Sequence, residues 1–269
     1  MFEDLKGKVV LITGSSGGIG EVTVQLFASN DCKVVVTGRN EENMEKIANK
    51  CHRLSPSKHK VCLFVFIYIL IKQLKPLQVI CDLKSSDDIE NLVKTTINEF
   101  GKLDVLVNLV AHYKPMNILD SDILKNFDEH ITLNVRSVLQ LCRSVLPHLI
   151  ETKGTIINLS TVGTFRPFKN CLSYCASKAA VDMLTKVLAL EFGPKGVRVN
   201  GANLGPIDTP QFKTFNNSDE IRKSYAEKNP LRRMGTVEEV AQTIAYLAST
   251  CSSYVTGSLI PIDGGTSLT

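Results

Sequence analysis

No two cysteines of this chain are spaced Cys-x-x-Cys, and the eight present follow no regular interval. They stand at 32, 51, 62, 81, 142, 171, 175 and 251, mostly in apolar stretches, as reduced core cysteines do. A disulfide framework is therefore not expected. Cys171 and Cys175 lie four apart and can share a helix face, but without histidine or further cysteine nearby no metal site is expected. No block of lysine or arginine stands out and the net charge is only +4, which argues against nucleic acid as a partner. No linker rich in proline, glycine or serine and no internal repeat interrupts the chain, so residues 1–269 are expected to form one domain. No apolar leader precedes the first strand, and Thr266-Ser267-Leu268-Thr269 carries no targeting tripeptide or lipidation signal. A cytoplasmic protein without a membrane span is expected.

What is present is alternation. Hydrophobic residues make up 43% and charged ones 22% of the chain, enough apolar material for a sizeable core. Strands are expected near 8–13, 33–37, 77–81, 103–108, 154–159, 197–202 and 258–262. Helices are expected near 18–30, 41–51, 85–100, 120–150, 172–192 and 236–249. Continuous apolar strands such as Val105-Leu106-Val107 suit a sheet covered on both faces. The alternation predicts an α/β fold with a doubly wound, Rossmann-like parallel sheet of about seven strands.

One segment breaks this order. Residues 61–71 are almost purely apolar, yet eleven residues are too few to cross a bilayer, which takes about 20. The run falls where a polar connection between the second helix and third strand is expected, and exposed it is an aggregation hazard. Residues 61–73 read as an anomalous insertion, such as a translated intron. Val61-Cys62 is encodable by the donor-like GTATGT and Gln73 by the acceptor-like CAG, and deletion joins Lys60 to Leu74 in a polar loop. A buried strand and a membrane-surface or partner-binding loop are the competing readings.

The segment Thr13-Gly14-Ser15-Ser16-Gly17-Gly18-Ile19-Gly20 follows the apolar run Val9-Val10-Leu11-Ile12 and opens an amphipathic helix. Glycines permit a tight turn and close approach of a ligand to the backbone. The free N–H groups of the helix start attract phosphate. An ordinary glycine turn is the alternative; the strand before and helix after favour the dinucleotide site.

Tyr174 and Lys178 are spaced to lie one turn apart on one helix face. A phenol titrates near 10, and a neighbouring ammonium favours its ionised form, which suits proton exchange with a carbonyl or alcohol. Taken alone, such a pair is ordinary helix surface. Asn158-Leu159-Ser160-Thr161 ends the preceding strand, at the edge where α/β sheets bind ligands. Its hydroxyls can bond a substrate oxygen beside Tyr174, or serve a turn or helix cap.

With these motifs the chain resembles the short-chain dehydrogenase/reductase family from about Leu5 to Gly265. The matches are Thr-Gly-x-x-x-Gly-Ile-Gly at 13–20, Asp82, Asn108, Asn134, Tyr-x-x-x-Lys at 174–178, Gly205–Thr209 and Asp263-Gly264-Gly265. The resemblance implies hydride transfer between a nicotinamide and a carbonyl or alcohol. It makes Tyr174 the general acid/base, Lys178 the group that lowers its pKa and holds the nicotinamide ribose, and Asn134 part of a proton relay. It places Gly14, Ser16, Gly18, Ile19 and Gly20 at the diphosphate, Asp82 and Asn108 by the adenosine half, and Ile207 and Thr209 over the nicotinamide and diphosphate. The family's serine thirteen places before the tyrosine is Thr161 here, with Ser160 one place earlier; threonine keeps the hydroxyl. Asn108-Leu109-Val110-Ala111 and Leu204-Gly205 also depart from the family's Asn-Asn-Ala-Gly and Pro-Gly, and Ala111 adds a Cβ close to the cofactor.

The second strand ends in Gly38 and Arg39, with no carboxylate to repel a 2′-phosphate and a guanidinium to bind it. NADP(H) is expected over NAD(H); a solvent-facing role for Arg39 is the alternative. The expected function is an NADP(H)-dependent oxidoreductase of a small carbonyl or secondary alcohol. A nucleotide-binding regulatory or scaffold protein with little or no turnover is the rival. The polar segment 210–230 is expected to close over the site and set specificity. Apolar faces of 120–150 and 172–192, with the family's habit of forming dimers and tetramers, imply a homo-oligomer.

Overall fold

A computed structural model describes residues 2–38, 40–58, 62–64, 81–210 and 218–269. Its elements run β1 (Val9–Thr13), α1 (Gly18–Ser29), β2 (Lys33–Thr37), α2 (Glu41–Leu54), β3 (Cys62–Phe64), α3 (Ser86–Phe100) and β4 (Val105–Asn108). There follow α4 (Ile123–His130), a π-helical stretch Ile131–Arg136, α5 (Ser137–Thr152), β5 (Thr155–Thr161), α6 (Leu172–Phe192) and β6 (Arg198–Leu204). The chain closes with β7 (Ile207–Asp208), α7 (Ser218–Lys228), β8 (Gly235–Thr236), α8 (Val237–Ala248) and β9 (Leu259–Ile262). The main sheet has seven strands in the order β3-β2-β1-β4-β5-β6-β9, all paired in parallel. The strand order reverses between β1 and β4, whose ends pair Thr13 with Asn108. A crevice at that reversal is where open α/β sheets bind ligands.

Period-two alternation divides the strands between two cores. Val10, Ile12, Val34, Val36, Val105, Val107 and Ile157 face α1, α2 and α8, where Phe27, Met44 and Ile244 are fully buried. Val9, Leu11, Val35, Leu106, Ile156 and Val199 face α3, α5 and α6, meeting Leu92, Leu141 and Val145. Both faces are apolar, so the strands read as unbroken hydrophobic runs, as a doubly covered sheet requires. Helix ends are set locally. Ser85 caps α3 by accepting from the Asp88 N–H at 3.2 Å, and Thr236 with Glu239 forms a capping box on α8.

The structure departs from expectation in four places. The edge strand lies at Cys62–Phe64 and pairs with Val35–Thr37; Cys81 is in no strand, and 77–80 lie outside the described residues. Physically, an edge beside β2 needs extended apolar chain on the return from α2, and 61–64 is the first that the chain offers. The rest of the 61–73 run lies outside the described residues. β5 and β6 extend to Thr161 and Leu204 because Ser160 and Thr161 pair with Asn203 and Leu204. The helix expected at 120–150 is interrupted by the π-helical stretch, in which Asn134 is fully buried. Ser218–Lys228, inside the segment read as polar loop, is a helix.

The glycine turn is locked by packing. A Cβ on Gly20 would strike the Gly14 carbonyl and come within 2.8 Å of Ser15 Cα, whereas one on Gly17 would meet nothing within 4 Å. Gly17 is extended, with φ 171°. Gly20→Ala is expected to cost about 1–3 kcal/mol of stability by overpacking, and Gly17→Ala less than about 0.5 kcal/mol. Thermal or urea melts of the two variants check the contrast.

Candidate active site

Tyr174 stands in the first turn of α6, and Thr161 is the last residue of β5. Parallel strand β5 therefore delivers Thr161 to the same sheet edge as the glycine turn. The Thr161 hydroxyl accepts from the Gly163 N–H at 3.1 Å and donates to the Leu204 carbonyl at 3.3 Å. It also acts on the nearby Tyr174 phenol, opposing the rise of its pKa. Ser160, pointing to the other face, sends its hydroxyl to the Lys178 carbonyl at 3.4 Å. Of the two candidate hydroxyls, Thr161 is the one beside the phenol. Strand alternation separates them.

Lys178 is 1% exposed, and its Nζ donates to the Leu159 carbonyl at 2.7 Å. Burial pushes its pKa down to about 8, opposed by the carboxylate of Asp182. The Tyr174 phenol is pushed up to about 12 by burial, with the Thr161 hydroxyl opposing. The expectation that Lys178 lowers the phenol's pKa is thus not met. Desolvation prevails over ionisation, and the lysine head is turned to the strand carbonyl. The phenol is protonated at neutral pH and can give a proton to a carbonyl oxygen.

Asn134 is brought inward by the π-helical stretch, a feature that recurs at functional sites. Its Oδ1 accepts from the His112 N–H at 2.6 Å, while Nδ2 donates to the His112 carbonyl at 3.0 Å and to Ser177 Oγ at 2.9 Å. Asn134 thereby clamps the chain after β4 to α6, the helix of Tyr174. Tyr113 meets the Tyr174 ring edge-on at 5.0 Å, and His130 lies 6.4 Å from it. These two aromatic walls escaped the sequence reading, since neither falls in a spaced motif.

The glycine turn is open on one side and packed on the other. Gly14 and Gly18 take φ of +71° and +54°, and no side chain caps the N-terminus of α1. Nothing lies within 4 Å of a Cβ built on Gly17 or Gly18, so that side of the turn is open to a phosphate. Gly14 instead packs on Val110, whose Cγ2 would lie 3.0 Å from an added Cβ. Ser15, not singled out from sequence, ties the turn to β2 by accepting from the Thr37 N–H at 2.8 Å. Ser16 presses on Gly38, where an added Cβ would sit 2.5 Å from its own Cβ. Ile19 is half-buried against the core beside α1.

Other expected contacts are redistributed. Asn108 donates from Nδ2 to Asn158 Oδ1 at 2.8 Å, and Asn158 passes the chain to Thr185 Oγ1 at 2.9 Å. Its Nδ2 helps hold β4, β5 and α6 together, while its Oδ1 is buried without a hydrogen-bond partner. Ile207 is 7% exposed and packed in the core against Gly235, so its side chain does not cover a nicotinamide. Thr209 is half-buried, next to Asp208, which Arg222 of α7 holds at 2.8 Å. Asp82 is exposed in the turn before α3, its Oδ1 accepting from the Lys84 N–H at 3.0 Å. Arg39 lies outside the described residues. Among the described residues no cluster of three or more His, Cys, Asp or Glu side chains could hold a metal ion.

Comparison with known proteins agrees with this geometry. A family model described as short chain dehydrogenase matches residues 8–66, and one described as Enoyl-(Acyl carrier protein) reductase matches 69–267. The chain is 34% identical to the glucose 1-dehydrogenase of Gluconobacter oxydans, over 97% of this chain and 92% of that protein. It is also 34% identical to the 3-oxoacyl-(acyl-carrier-protein) reductase FabG of Thermotoga maritima, over 97% and 98%. Among solved structures it superposes on levodione reductase with a TM-score of 0.86 at 28% identity, covering 98% of both chains.

The two strand-end hydroxyls are separable by mutation. Thr161→Val is expected to lower kcat for carbonyl reduction about 100-fold or more, while Thr161→Ser retains most activity. Ser160→Ala is expected to leave kcat within a few-fold and to lower the melting temperature slightly. Steady-state kinetics with NADH and with NADPH, together with melts, check all three.

Proposed function

The chain belongs to the short-chain dehydrogenase/reductase family of NAD(P)-dependent oxidoreductases, and from that premise we propose that it interconverts a small carbonyl compound and its secondary alcohol with Tyr174 as general acid/base. The observation that carries this reading is the placement of Tyr174 in the first turn of α6, one turn before the buried Lys178, with Thr161 at the carboxyl edge of β5. A phenol donor at this edge suits a carbonyl oxygen that gains negative charge as it is reduced. The bound nicotinamide would supply or accept the hydride. Tyr174 delivers the proton in reduction and removes it in oxidation. Thr161 orients the substrate oxygen, Lys178 holds a positive charge one turn away, and Asn134 keeps the chain after β4 seated against α6.

Gly14, Ser16, Gly18, Ile19 and Gly20 would hold the diphosphate, the open glycines by their backbone. Asp82, and Asn108 through its main chain, would border the adenosine half; Ile207 through its main chain and Thr209 would border the nicotinamide half. NADP(H) is the favoured coenzyme. The contact between Ser16 and Gly38 supports this, because it leaves no room at 38 for the acidic side chain that an NAD site uses. Arg39 follows with a charge suited to a 2′-phosphate.

The relatives' names span a sugar dehydrogenase, an acyl-carrier reductase and an NADPH-dependent aldehyde reductase of Arabidopsis thaliana, so the substrate panel includes an aldose, a β-ketoacyl thioester and simple aldehydes. NADPH oxidation over that panel, abolished by Tyr174→Phe, is the expected result. NADPH binding without turnover of any substrate would instead favour a nucleotide-binding regulatory protein. Arg39→Ala is expected to weaken NADPH at least about tenfold and to leave NADH unchanged; equal effects on both would remove the NADP(H) assignment.

The working form is proposed to be a homo-oligomer of single-domain chains in the cytoplasm. Met183, Val187 and Leu190 of α6 and Leu139 of α5 are apolar and exposed, which supports self-association through these helices. The cysteines described are free thiols, as a reducing compartment favours. No helix among the described residues is long and apolar enough to cross a membrane. Met183→Lys with Leu190→Lys is expected to convert the oligomer to monomer in sedimentation velocity.

A further inference from the structure

We propose that Asp182 is a positioning residue of the reaction: its carboxylate, carried one turn beyond Lys178 and fixed by Asn203, keeps the buried lysine in its ammonium form beside Tyr174. This rests on the reading of Tyr174 and Lys178 given above and extends it by a residue.

The geometry begins with spacing. Tyr174, Lys178 and Asp182 follow at intervals of four along α6, a single stripe on one helix face. Lys178 is 1% and Asp182 6% exposed, so both charges are withdrawn from water. An ammonium in such a place loses several hydrogen bonds to solvent and regains, in this structure, the Leu159 carbonyl at 2.7 Å. One carbonyl does not offset the removal of a full charge from water; the group neutralises unless an opposite charge is near. Asp182 supplies an opposite charge from one turn further along α6, without a direct ion pair to Nζ.

The surroundings of Lys178 hold no competitor. On α6 it faces the neutral phenol of Tyr174 and the carboxylate of Asp182. From β5 the Leu159 carbonyl meets its Nζ and the Ser160 hydroxyl meets its main-chain carbonyl, while Asn203 of β6 holds Asp182. Among the described residues Asp182 is the charged group acting on the lysine, and it opposes the fall caused by burial.

Asn203 explains how the carboxylate is held. Its Nδ2 lies 3.2 and 3.0 Å from the two oxygens of Asp182, and 3.3 Å from the Thr161 carbonyl. One amide therefore joins the carboxylate behind Lys178 to the strand end that carries the Thr161 hydroxyl. A buried aspartate inside a helix costs stability without a partner. Its placement makes sense as a counter-charge.

The test uses the whole protein labelled with carbon-13 at lysine Cε, the Lys178 resonance being assigned by its loss in Lys178→Met. In the wild type this resonance is expected to titrate at about 8. In Asp182→Asn, which keeps the shape and drops the charge, the midpoint is expected to fall by about one pH unit or more, tenfold in proton concentration. Asp182→Glu is expected to restore it at least in part. In kinetics, the alkaline fall of kcat/KM for carbonyl reduction moves to lower pH by the same amount, because the ammonium is lost as pH rises through its pKa. An unchanged midpoint in Asp182→Asn, with only a lower melting temperature, would overturn the proposal and leave Asp182 a structural residue. If Asp182→Asn does not fold, Asp182→Ser removes the same charge with a smaller side chain and is read the same way. Because the resonance needs neither coenzyme nor substrate, absence of turnover in the wild type counts against the proposed function and leaves this measurement decisive.

Discussion

The whole site depends on keeping one ammonium group in a place with no water. Lys178 lies between α6 and the end of β5, fully enclosed, with its Nζ on the Leu159 carbonyl. Such a charge is costly, and the neighbourhood is arranged around it. The helix that bears it also bears Tyr174 one turn before and Asp182 one turn after. The strand that receives it carries Thr161 two residues beyond the accepting carbonyl. The reacting groups are thus set by the packing of one helix on one strand.

Around that contact the interior is polar to an unusual depth for a doubly covered sheet. Asn108, Asn158 and Thr185 form a ladder from β4 through β5 to α6, and Asn134 ties the chain after β4 to Ser177 of the same helix. Side-chain amides suit this work because each both donates and accepts. Both chains of bonds end on α6. The result is a helix fixed at several heights, so that the phenol and its neighbours keep their spacing while coenzyme and substrate come and go. Rigid support of this kind is what preorganised donors require to act on a developing oxyanion.

Much of the architecture was legible in the chain. Apolar runs at strand length, glycines after the first of them and a long amphipathic stretch at 172–192 located β1, the turn and α6. The Tyr174–Lys178 spacing placed both residues on one face of α6 because a helix converts an interval of four into a shared face whatever surrounds it. The third strand was misplaced because several apolar segments compete for the edge beside β2, and periodicity ranks them equally. The ionisation of Tyr174 was misjudged because spacing reports adjacency, not how much water is excluded.

By itself, then, the sequence determined most of the alternation of strands and helices, the glycine turn after β1 and the placing of Tyr174 and Lys178 one turn apart on α6, all of which follow from local spacing and backbone freedom. Tertiary structure alone decided which hydroxyl meets the phenol, since Ser160 and Thr161 are adjacent in the chain and opposite across the sheet. It also turned the side chains of Asn108 and Ile207 into the interior and joined Asp182 to Asn203 across 21 residues of chain. Those outcomes depend on contacts between distant segments and on the exclusion of solvent, which no local pattern encodes.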